Sequence, residues 1–343
     1  MSFYRNGRAG RIAFGLVAVA LSGVAAAQTA SYVGADGGSW NTAANWSPAG
    51  VPNGTTAQAV FTNDNGTVVH SVNLGGGSVT VNQIDMQGFA VVGTWSIVNG
   101  TLRFGGSGAR YANASTGNPF ATPNGASLPA VVLDAATEFA VTFMYGRTTV
   151  VGGISGSGAL TKTGTGTLAL QGTSALTGNI DVVQGQLLLL DDAVVSNATT
   201  YLGAQTLLHG SGTLANVVLQ SGARIQLGLF MGSWGLGTLD AANMTFNDTS
   251  TIEFRLGTDQ PIAIANALTR GPNGKIRFVL HGPPSSIGQS YTLMTFGTQS
   301  GFSVADFDYA PTPSFNGHFV LTANALQFVA DSLPVTLQSF DID

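Results

Sequence analysis

Gly158-Ala-Leu-Thr-Lys-Thr-Gly-Thr-Gly-Thr-Leu-Ala-Leu-Gln-Gly172, Thr173-Ser-Ala-Leu-Thr-Gly178 and Asn179-Ile-Asp-Val-Val-Gln-Gly185-Gln-Leu-Leu-Leu-Leu190 run on without a break and decide how this chain folds. Apolar residues alternate with polar ones over short runs, and each run closes on Gly, Asn or Asp. Alternation places one face inward and one outward, as a strand requires. No run lasts long enough for an amphipathic helix before glycine interrupts it.

The same pattern extends in both directions. Ser78-Val-Thr-Val81, Leu102-Arg-Phe104, Val217-Val-Leu219, Ile225-Gln-Leu227, Thr251-Ile-Glu-Phe-Arg-Leu256 and Ile276-Arg-Phe-Val-Leu280 read as strands between turns. Small, uniform aliphatic residues and short Gly-Ser-Gly or Gly-Thr-Gly corners favour stacked coils over a sandwich. With roughly 20 residues per coil, the chain would make on the order of 12 to 15 coils. The expected class is all-β, a parallel β-helix (single-stranded β-solenoid).

The repeat resembles the passenger-associated repeat of bacterial autotransporters. The similarity lies in the Gly-x-Leu-x-Lys-x-Gly-x-Gly-x-Leu-x-Leu run from Gly158, the Thr177-Gly178 turn and the Val-x-x-Gly-x-Leu close at Val182–Leu187. Leu176 departs from it, where the family carries an aromatic. The Gly38–Trp46 stretch, Gly210–Leu214, Gly235–Leu239, Gln289–Leu293 and the Phe302–Phe307 stretch look like the flanking coils of such passengers. The resemblance implies a right-handed parallel β-helix, displayed at the cell surface or released from a Gram-negative bacterium. It does not imply an enzyme. It also implies a translocator barrel, and no stretch after Leu256 has strands of about ten residues with aromatic girdles. The expectation is therefore a passenger-type chain without the barrel, with separate export machinery as a possible partner.

Arg5, Arg8 and Arg11 followed by the uncharged Ile12–Val24 stretch and Ala25-Ala26-Ala27 read as a secretory signal peptide, cut after Ala27. The apolar stretch is short for a membrane span, and no later segment is long and apolar enough to be one. Removing 1–27 takes three of 12 basic residues and none of 17 acidic ones, leaving nine against seventeen, a formal charge of −8. An acidic chain without a basic stripe is a poor partner for nucleic acid. The 343 residues contain no cysteine, which removes disulfides and thiolate chemistry.

The expected organisation is a signal peptide at 1–27, an N-terminal cap and first coils at 28–104, a loop excursion at 105–129, a β-helix at 130–258 and an irregular C-terminal β region and tail at 259–343. Trp40 and Trp46 are expected to pack an end cap, because an open coil exposes core and unpaired backbone. Trp95 and Trp234 are weighed with them as sugar-stacking candidates. Leu333–Phe340 is similar to the hinge before sorting tails of exported proteins.

Candidate chemistry is sparse. Asp191 and Asp192 are adjacent, so on a strand they would face opposite ways. Asp306 and Asp308 would share a face, as a Ca²⁺ site needs, but 6–8 oxygen ligands are required. His70, His209, His281 and His318 lack metal-ligand spacing. No residue is assigned to catalysis, to a cofactor or to a metal, and no cofactor is expected. The functional expectation is a non-catalytic adhesive or structural protein, partnered by host or matrix glycans or proteins or by itself. The alternative is a carbohydrate-active enzyme on the same scaffold, which would need carboxylates gathered with an Arg such as Arg224 or Arg255.

Overall fold

A computed structural model describes residues 28–62, 70–87, 95–114, 125–227, 229–230, 233–234, 237–312 and 315–333. The proposed signal peptide and the 334–340 part of the proposed hinge lie outside them. The fold is all-β, 62% strand and 2% helical, so backbone polar groups are satisfied between segments rather than within them.

Pairing is dominated by parallel strands, and partners are not sequence neighbours. Ser78–Val81 pairs with Thr101–Phe104, which pairs with Ala130–Leu133. Gln58–Thr62 pairs with Gln83–Gln87, and that strand with Ala109–Asn113. His70–Asn73 pairs with Trp95–Val98, which pairs with Gly125–Leu128. Among the described residues the chain visits these three ladders in fixed rotation, adding one strand to each in turn. Parallel strands need a crossover between them, and here the crossover is the passage through the other two ladders.

The alternation seen in the sequence becomes continuous rows. One inward row runs Ala30, Ala59, Ile84, Tyr111, Phe139, Lys162, Val182, Leu202, Leu219 and Phe246, each opposite the next. Every member is buried. Its outward neighbours Gln58, Gln83, Arg110, Glu138 and Thr161 are only partly covered. Aliphatic residues make up most of the row because successive strands offer the same cross-section to the core, with Tyr111 and Phe139 packed ring against ring between them.

Both ends are filled with rings. Trp40 and Trp46 are fully buried with Tyr32, Phe61 and Trp95. The Trp40 indole N–H donates to the Pro52 carbonyl at 3.0 Å, and that of Trp46 to the Trp40 carbonyl at 2.7 Å. Trp46–Ser47 runs antiparallel against Thr29–Tyr32 and shields that edge. At the far end Ser290–Ser300 and Gly317–Leu321 flank Ala325–Ala330 in antiparallel pairs over Phe307, Phe319 and Phe328.

Two expectations need correction. The stretch read as an excursion, 105–129, contains the strands Ala109–Asn113 and Gly125–Leu128, both in register with neighbours on the parallel ladders. Gly105, Gly106 and Gly108 suggested a loop, but Tyr111 and Asn113 point inward and bond to the buried Thr148 hydroxyl at 3.1 Å. Residues 115–124 lie outside the described part. The C-terminal region is also more regular than expected. Phe307–Thr312 pairs along its whole length with Lys275–His281, even through Pro311.

Candidate functional site

The outward faces carry two features. The first is a polar wall on Arg224–Leu227, Thr249–Arg255 and Lys275–His281, stacked in register. Register places Gln226 beside Glu253. The Gln226 amide donates to Glu253 Oε2 at 2.7 Å, and the Arg224 guanidinium pairs with Oε1. His281 Nε2 is 3.7 Å from Oε2. One row further out, Arg255 grips Asp259, guanidinium to Oδ1 at 2.6 Å and backbone N–H to Oδ2 at 2.7 Å. This gathers Arg224, Glu253, His281, Arg255 and Asp259 on one wall, although Arg224 and Asp259 are far apart in sequence. The two carboxylates are already engaged by guanidinium groups, an arrangement that stiffens a surface.

The second feature is an open groove of about 840 Å³. Its floor is the outward row Val194, Thr213, Asp240, Ala263 and Thr295. The strands shift register beside it, between Ala241 and Asn243 and between Ile264 and Ala267. Extra residues bend a strand locally, and the unpaired Ala242 and Ala265 line the resulting hollow. Among the described residues lining it, Asp240 carries the only charge.

The remaining sequence candidates fall elsewhere and apart. Asp191 and Asp192 both adopt left-handed backbone, φ 50° and 56°. Gln171 donates to Asp191 at 2.7 Å and Ser211 to Asp192 at 2.9 Å, so each carboxylate ties this corner to a different neighbour. Asp306 and Asp308 do not share a strand face. Asp306 sits in the short 3-10 turn Val304–Asp306, receives the Ser303 N–H at 2.9 Å and pairs with Arg270 at 3.1 Å. Burial opposes its ionisation, but the Ser303 donors and Arg270 hold its carboxyl below the usual range. Among the described residues Asp308 accepts a bond only from the Tyr309 N–H, at 2.8 Å. Among the described residues no three metal-ligating side chains converge. His70 stacks on Trp95 with centroids 4.8 Å apart, and His318 pairs with Asp331 at 3.0 Å. The side chain of Trp234 lies outside the described residues.

Lys162 stands out in the sequence only as a position of the repeat. It is fully buried in the inward row between Phe139 and Val182. Its Nζ donates to the carbonyls of Thr163 and Gly164, both at 2.8 Å, and of Gln184 at 3.1 Å. Burial brings its pKa down to about 7. The only signal in the sequence was its place two residues after Leu160, in step with the inward alternation. No family model matches the chain, and no curated protein matches it.

Proposed function

We propose that the chain is an exported right-handed parallel β-helix, similar to the passenger of an autotransporter, that serves as an adhesive or structural rod on the cell surface or in the medium. The observation that carries this reading is the fixed rotation of the chain through three parallel ladders, with inward rows unbroken from Ala30 to Phe246. Such a body presents long, repetitive faces, which suit extended contact. The repeat at Gly158–Leu190 and the N-terminal signal pattern support the exported setting. Partners in this reading are matrix or host glycans and proteins, or further copies of the chain.

Secretion is tested by expressing the full chain and mapping the N-terminus of the exported protein, with Gln28 expected. Adhesion is tested by solid-phase binding of the purified mature chain to matrix proteins and glycans, alongside sedimentation for self-association. Failure of all three binding assays would remove the adhesive reading.

A second reading rests on the polar wall. Glu253, His281 and Arg224 meet within hydrogen-bonding or near-contact range, with Arg255 and Asp259 beside them. A carbohydrate-active site needs carboxylates near a base or cation. Cleavage of any member of a polysaccharide panel that is lost in Glu253→Gln would favour this reading over the first.

A further inference from the structure

Lys162 stands in a row whose other members are apolar side chains, apart from Tyr111, which bonds to Thr148. Phe139, Val182 and Leu202 meet their neighbours only through apolar contact, and a two-residue slide of one strand would still leave an inward face inward, because the side-chain period is two. Lysine tolerates no such slide. Its three N–H donors meet three carbonyl oxygens, two from the Thr163-Gly164 turn and one from Gln184 in the turn of the next pass. Among the described residues no carboxylate pairs with it, so the turns themselves are its counter-dipoles.

These turns are in direct backbone contact. Val183 N–H donates to the Lys162 carbonyl at 2.9 Å, and Gln186 N–H to the Gly166 carbonyl at 3.2 Å. A Cβ at Gly185 would collide with the carbonyl oxygens of Gly164 and Gly166. A slip of the next pass would carry the Gln184 carbonyl away from Nζ, while the Thr163 and Gly164 carbonyls, on the lysine's own segment, would stay with it. A slipped pairing would leave one buried N–H donor of the ammonium without its acceptor, a penalty that an aliphatic residue in the same two-residue slide would not impose. Single buried polar groups fix register in this way in other stacked assemblies.

We propose that Lys162 is a register lock: it selects one pairing between the turns Gly164–Gly166 and Val183–Gly185 out of those its aliphatic neighbours would allow. The lock clasps two successive passes from inside, and it sits in the repeat where the Gly-rich corners themselves carry little register information.

The test compares amide hydrogen exchange in the wild-type chain, Lys162→Gln and Lys162→Met at pH 6, where the folded lysine keeps its proton and all three donors. Glutamine keeps two N–H donors and methionine none. Protection at Val183, Gln184 and Gln186 is expected to fall in the order Lys, Gln, Met, by roughly tenfold or more for Met. Strand Thr249–Arg255 should be unchanged, and the Met variant should show more than one set of resonances over 163–186. A Met variant that fails to fold while the Gln variant folds with intermediate protection also supports the lock. A Met variant with wild-type protection and a single population overturns it, since apolar packing would then set register alone. Equal loss of protection everywhere, or failure of both variants to fold, overturns it too by showing a general core role.

Discussion

Lys162 donates from Nζ to the carbonyl of Gln184, 3.1 Å away, across two successive turns that share no other side-chain bond among those described. The contact couples the state of one proton to the state of the fold. Burial lowers the lysine from 10.5 to about 7, so between those values the unfolded chain holds a proton that the folded chain has released. Stability then rises with pH across that window. From pH 7 to pH 9, below the tyrosine range, the gain is about 2 kcal/mol. Denaturant melts at pH 7, 8 and 9 should show this climb in the wild type and a flat response in Lys162→Met.

Gly185 faces the opposite constraint, one of space rather than charge. Its φ is +78°, and a Cβ would strike the carbonyl oxygens of Gly164 and Gly166. Left-handed backbone alone costs an L-residue roughly 1–2 kcal/mol, and the collision adds to it. Gly185→Ala should lower stability by about 2–4 kcal/mol, read as a shift of the urea midpoint. A change below 0.5 kcal/mol would mean that the corner relaxes freely.

The strands were legible because their pattern is local. Ser78–Val81 and Ile180–Val182 were readable from alternation alone. Ala109–Asn113 was not, because three nearby glycines suggested a loop and its inward Asn113 looks polar until Thr148 is seen opposite it. The polar wall was half legible. Arg224 and Arg255 could be named as candidates, but their partners Glu253 and Asp259 depend on register and on a turn. The groove was not legible at all. It arises where Ala242 and Ala265 drop out of pairing, and an alanine in a bulge reads the same as one in a strand. Lys162 looked like any other cation, since burial belongs to the stack and not to the residue.

The ion pairs should differ sharply in worth. Asp259 keeps 1% of its side chain exposed, and Arg255 14%. Arg255→Ala would leave a buried carboxylate to a single backbone donor, at a cost of about 3 kcal/mol or more. Arg103 and Asp134 keep 38% and 39% exposed, so Arg103→Ala should cost under about 1 kcal/mol. Parallel urea melts of the two variants check the ranking. Equal losses would show that Arg255 contributes packing alone.

Gln205 gives the converse of Gly185. It holds φ 60° at a corner where the neighbouring passes place Gly185 and Gly222, with φ 78° and 73°. The next pass leaves room, since a Cβ at Gly222 would lie no closer than 3.6 Å to Gln205. The glutamine therefore bears the strain of a left-handed residue with no crowding to justify a larger backbone shift. Gly tolerates that conformation at no steric cost but gains freedom in the unfolded chain, and the two effects oppose each other. The left-handed penalty is the larger, so Gln205→Gly should stabilise the fold by roughly 0.5–1 kcal/mol. The thermal midpoint should rise accordingly, while protection of the Leu207 amide, which donates to the Gly185 carbonyl at 3.1 Å, stays at or above the wild-type level. A fall in both would place the glutamine side chain, rather than the corner's backbone, in charge of this turn.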